Sequence, residues 1–152
     1  MKYFISILLT LSYLFSFSQK KIIPIAQSVL TGVTLPAGST IDKRLLMKLS
    51  ATVLLEMESK KVGTSIATVE ILYLPSVASS SYNADSLVNQ LTALGWNITP
   101  VETDNKYVWL QKDNRSILTY LSLDKNSTQL YFGEAATPPN LNGAAPPQQV
   151  PQ

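Results

Sequence analysis

Two helices packed on a mostly antiparallel five-stranded sheet, an α+β fold ordered helix–strand–helix–four-strand meander, is what this sequence predicts. Three observations carry the prediction. Apolar residues recur at three-and-four spacing over 42–60 and again over 84–94. A β-branched run from Ile66 to Leu74 stops at Pro75. Short runs near 97–102, 107–112, 116–123 and 128–132 are joined by Asn- and Asp-containing links. Helices beside such a meander have to cover it, which is a layered α+β arrangement.

The first helix is expected over 42–60. Leu45, Leu46, Leu49, Val53, Leu54 and Met57 form its apolar stripe, expected to face the core. Asp42 is placed to cap its start, with Ile41 folding onto Leu46. Lys60 and Lys61 suit its negative end, and Gly63 can terminate it. In the second helix Ala84, Leu87, Val88, Leu91 and Leu94 mark the apolar side, with Asn83 as N-cap and Asp85 in the first turn. Gly95 fits the left-handed position after it, and Trp96 can fold back on Leu91.

Asn and Asp tolerate positive φ, so Asp104-Asn105 and Asp113-Asn114 read as two-residue hairpin turns, and Asp124-Lys125-Asn126-Ser127 as a four-residue link. The pairing then follows by arithmetic. Val101 faces Val108, Leu110 faces Ile117, Leu121 faces Leu130 and Thr119 faces Phe132. Alternation sorts the side chains into two faces. One is aliphatic: Val101, Val108, Leu110, Ile117, Leu121, Leu123, Leu130 and Phe132. The other collects Ile98, Pro100, Tyr107, Trp109, Leu118, Tyr120 and Tyr131, with Glu102, Gln111, Ser116, Ser122 and Gln129 at its edges. The second helix is expected on the aliphatic face. For the aromatic face three readings stay open, in this order: a second core layer beneath the first helix, a partner or dimer surface, and a small-ligand platform. Aromatic rings with a polar margin suit a glycan or peptide, and Tyr107, Trp109, Leu118, Tyr120, Tyr131, Glu102 and Gln111 would form that site.

The ends of the chain read differently. Lys2 opens a run of apolar residues through Phe17, and Ser16 and Ser18 place small residues before Gln19. This is the three-part layout of a secretory signal peptide, residues 1–18, with cleavage expected after Ser18, and it resembles a bacterial export signal. An uncleaved anchor is the competing reading, but the run is shorter than the roughly 20 residues of a spanning helix. Secretion or a periplasmic location follows as the expectation. Residues 19–40 form a lead-in segment with turn signals at Pro24, Gly32 and Pro36-Ala37-Gly38, in which Val29–Leu35 could be a short strand. Residues 41–134 are expected to be a single domain. The uncharged stretch 135–152, with five of the chain's nine prolines, is expected to be a disordered tail.

Composition narrows the function classes. Cys and His are both absent. Thiol enzymes, Ser–His triads and the usual zinc sites are thereby removed, and no disulfide staples the exported domain. The 12 Lys and Arg against 10 Asp and Glu lie scattered in pairs, so a nucleic-acid face is not expected. No cofactor or metal is expected. Paired carboxylates remain, Glu56 with Glu58 and Glu102 with Asp104, and neither pair forms a two-acid cleft. Asp124-x-Asn126-x-Thr128 begins like a calcium loop but has Gln129 where Gly is required. Asn-x-Ser/Thr triplets at Asn97, Asn114 and Asn126 matter only in a eukaryotic secretory route. Asp85-Ser86-Leu87 resembles a bacterial O-glycosylation triplet, and helix capping already accounts for Asp85. The expectation is an exported, non-enzymatic protein-interaction or structural module; the alternative is a small-ligand domain using the aromatic sheet face.

Overall fold

The computed structural model describes residues 22–75, 84–101, 107–124 and 127–141. The expected export signal, Asn83, Glu102, Asp104 and the last eleven residues lie outside the described residues. The elements are β1 (Ile22–Pro24), β2 (Thr40–Asp42), α1 (Leu45–Ser59), β3 (Ile66–Leu74), α2 (Ala84–Ala93), β4 (Asn97–Pro100), β5 (Tyr107–Lys112), β6 (Arg115–Asp124) and β7 (Ser127–Ala135). A 3-10 turn over Lys60–Val62 and Gly63, at φ 76°, end the first helix.

The sheet has seven strands, not five. Its order is β1-β2-β3-β7-β6-β5-β4, antiparallel at every pairing. The two additional strands, one within the lead-in segment and one straddling its end into the expected start of the helix, precede the first helix, so the predicted element order fails as well. Ile22 to Pro24 pairs with Thr40 to Asp42, and β2 in turn lines the edge of β3 through Ile41 opposite Leu72. Three-residue strands carry no period that a sequence can display; β2 exists only because β3 offers it an edge, and β1 because β2 does. Val29–Leu35 is not a strand. It belongs to a turn closed by Gln27 bridging Thr34 and by Ser28 N–H donating to the Val33 carbonyl at 2.9 Å.

The hairpin arithmetic holds for β5, β6 and β7: Leu110 lies opposite Ile117, Thr119 opposite Phe132 and Leu121 opposite Leu130. Asp113 turns between β5 and β6 with φ 53°. At β4 it fails by one residue. Pro100, and not Val101, lies opposite Val108, and Ile98 lies opposite Leu110. A one-residue slip exchanges the faces of a strand. Ile98 therefore packs with the aliphatic cluster and Val101 with the aromatic one.

Two cores result, one on each face. The aliphatic face, with Leu72, Leu110, Ile117, Leu130 and Phe132, is covered by Leu87 and Leu91 of α2. It is also covered by Leu30, Val33 and Leu35 of the lead-in loop. Gly95, at φ 84°, ends α2 as expected, and the Trp96 N–H reaches back to the Leu91 carbonyl at 3.0 Å. The Trp96 indole N–H donates to the Thr31 carbonyl at 3.0 Å and so ties loop to helix. The buried carboxylate of Glu70 completes the attachment: it accepts the Ser28 hydroxyl at 2.6 Å and the N–H groups of Val29 and Leu30 at 2.9 and 3.2 Å. From Ala135 to Leu141 the chain stays attached. Ala136 N–H donates to the Ser65 carbonyl, Asn140 N–H to the Val62 carbonyl, and Leu141 joins the aromatic cluster.

Candidate interaction surface

The aromatic face is built as a ladder. Tyr107 lies opposite Tyr120, which lies opposite Tyr131, which lies opposite Ile71. Ring centroids are 4.7 Å apart for Tyr107–Tyr120 and 5.6 Å for Tyr120–Tyr131, both tilted pairs. The adjoining row runs Val69, Gly133, Leu118, Trp109. Helix α1 lies on this side through Ala51 and Leu55, in one cluster with Ile66, Val69, Ile71, Trp109 and Leu118. Trp109 is 1 % exposed and Leu118 is fully buried. Tyr107, Tyr120 and Tyr131 are half-buried, as is Gln111 at the margin. Of the predicted site residues, the strands therefore bring Tyr107, Trp109, Leu118, Tyr120 and Tyr131 together, Gln111 borders them, and Glu102 lies outside the described residues. Trp109 presents no ring face to solvent, and its indole N–H has no partner among the described residues.

Asp42 does not cap α1 in the expected way. Arg44 occupies the N-cap position and Asp42 closes β2. Its carboxylate is fully buried and accepts the Arg44 N–H at 2.9 Å, the Arg44 guanidinium at 2.6 to 3.1 Å and the Tyr73 hydroxyl at 3.1 Å. Burial alone would raise the Asp42 pKa; the Arg44 hydrogen bonds and charge, with the Tyr73 hydroxyl, outweigh it and hold the carboxyl below its ordinary value. Beside this latch the Tyr131 hydroxyl donates to the side-chain carbonyl of Gln129. Sequence reasoning missed the latch. The Asp42-x-Arg44 spacing was its only local sign, and Tyr73 reaches it only through β2–β3 pairing.

The largest departure concerns α1 itself. Ile41 is buried in the aliphatic core and Leu46 is exposed, so the expected contact between them does not form. Of the apolar stripe predicted to face the core, Leu54 is half-buried and the rest points away from it: Leu45 is 66 % exposed, Leu46 77 %, Leu49 54 %, Val53 63 % and Met57 66 %. The buried side of the helix consists of Ala51, Leu55, Glu58 and Ser59. Glu56 is paired with Lys60 at 3.1 Å and Glu58 with Lys61 at 2.6 Å, so both carboxylates of this candidate pair are engaged by lysines.

A separate cleft of about 330 Å³ opens between Leu30, Thr31, Trp96, Lys112 and Arg115. Its cations are committed: Lys112 donates to the Leu94 carbonyl at 2.8 Å, and Arg115 bonds Glu134 at 2.6 Å while lying over the Trp96 ring. Among the described residues no group of three or more metal-ligating side chains converges, and no helix is long and apolar enough to cross a membrane.

No family model, no curated protein and no solved structure matches this chain.

Proposed function

We propose that this chain is an exported, non-enzymatic interaction module that docks onto protein through the outer face of α1. One observation carries the reading: five large apolar side chains on one helix stay more than half exposed. Single exposed apolar residues are ordinary, but a contiguous apolar stripe on a folded domain marks a contact surface. The sheet face is the weaker candidate because α1 and Leu141 already pack on it. The small-ligand reading loses support for the same reason, since a buried Trp109 cannot stack on a sugar or peptide. Export rests on residues 1–18 and their three-part layout.

In-cell photocrosslinking tests the reading. A photoreactive residue replacing Leu49 should give covalent protein adducts, and the same residue at Asn114, in the exposed β5–β6 turn, should not. Absence of adducts from both positions, with the variants folded and exported, would overturn the reading.

A further inference from the structure

Building on that reading, we propose that the occupant of the α1 outer face is a second copy of this chain, docked with its α1 antiparallel. Positions 45, 49, 53 and 57 form one i, i+4 ridge on a helix of 3.6 residues per turn. A ridge of that spacing packs into the i±3 rows of a facing helix at a shallow crossing of about +20°, which keeps contact along its length. A two-fold axis near Ala51 sets Leu45 against Met57 of the second copy and Leu49 against Val53, so one patch is complementary to itself.

Charge selects the orientation. Lys43 and Lys48 stand near the N-terminal end of the stripe without an ion-pair partner among the described residues. The other end carries the negative pole of the helix dipole and Glu56, already paired with Lys60, while Glu58 lies on the buried side. An antiparallel pair brings opposite ends together; a parallel pair would set lysine against lysine. A membrane surface fits less well. The Glu56–Lys60 pair adjoins the apolar ridge, and moving it toward hydrocarbon is costly. The area is adequate for a weak dimer: at on the order of 100 Å² for each exposed side chain, two stripes cover about 1,000 Å², the lower bound for a specific interface.

The test uses the exported chain, purified as the cell processes it, and exploits the absence of native cysteine. Leu45→Cys and Met57→Cys are made separately. Oxidation of the mixture should link them, while each alone links poorly. Sedimentation velocity should show a concentration-dependent monomer–dimer equilibrium, and Leu49→Glu and Val53→Lys should each raise its dissociation constant about tenfold or more at unchanged melting temperature. A monomer throughout the micromolar range overturns the proposal. Efficient self-linking of Leu45→Cys also overturns it, because that requires parallel helices. Stripe-dependent binding of a monomer to phosphatidylglycerol vesicles does so too. In-cell adducts from position 49 to a different protein, with the purified chain monomeric, overturn the second copy but leave the interaction module standing.

Discussion

Leu55 of α1 sits directly over Gly133 of β7: a Cβ at position 133 would lie 2.7 Å from Leu55 Cδ1 and 3.2 Å from the Ile66 side chain. Gly133 has no unusual φ, so the glycine serves close approach and not backbone freedom. The helix contacts the sheet through a narrow strip around this point, with Ala51 beside it. Gly133→Ala should therefore destabilise by about 1–3 kcal/mol, the usual range for overpacking a filled core. Leu55→Ala should cost about 2–5 kcal/mol through the opposite defect, a cavity. Urea unfolding of both variants checks this. A neutral Gly133→Ala would mean that α1 rides higher on the sheet than described.

Trp109 and Tyr120 give the next expectation. Replacing both by Ser should collapse folding, because truncating a buried aromatic costs about 3–5 kcal/mol. Trp109→Phe should cost much less, since it removes an indole N–H that has no acceptor among the described residues. Circular dichroism melts separate the two cases. Intact folding of the double Ser variant would restore the sheet face as a docking surface.

Glu70 holds the lead-in loop over the aliphatic core. Glu70→Gln keeps the shape but turns an amide N–H₂ toward a backbone or hydroxyl donor. A loss of about 1–3 kcal/mol is expected for the group left unsatisfied. Proteolysis within residues 26–38 should speed up in the same variant, because the loop loses its anchor on β3. A variant as resistant to cleavage as the parent would show that Trp96 alone secures the loop.

Two opposite pH limbs follow from the latch. The folded Asp42 pKa lies below its ordinary 3.8, so in acid the unfolded chain binds more protons. The stability it contributes is present above the ordinary carboxylate range and is lost as pH falls through the folded value. Tyr73 and Tyr131 are shifted upward from 10.0, chiefly by burial, then by Asp42 for Tyr73 and by Tyr120 and Asp42 for Tyr131. Their contribution is present below that pH and is lost as pH rises above it. Urea midpoints measured against pH should fall at both ends. Asp42→Asn should flatten the acid limb, and Tyr73→Phe should weaken the alkaline one.

Much of the fold was legible in local signals. Ile66–Leu74 was read to the residue, Gly95 and Trp96 end α2 as their chemistry requires, and Asp113-Asn114 set the β5–β6 register. The slip at β4 shows the limit. Its link to β5 runs through residues 102–106, and counting from Asp104-Asn105 alone assumed a two-residue turn that the pairing of Pro100 with Val108 rules out. At the site, alternation assembled the tyrosine ladder correctly, yet the Asp42–Arg44–Tyr73 latch was hidden because its members meet only through an edge pairing.

By itself the sequence determined that two apolar faces would form on the meander, because side chains alternate along strands whose turns are local. It also determined that α1 has an apolar stripe, because that depends on 3.6-residue periodicity alone. Only the tertiary structure decided that this stripe faces outward. The side of a helix that meets a sheet depends on where its ends are anchored and on what space lies below. Here Asp42 and Arg44 fix the start, Gly63 and β3 fix the exit, and Gly133 leaves room for Leu55. Those constraints turn the small side, Ala51 and Ser59, inward and leave Leu45, Leu49, Val53 and Met57 in solvent.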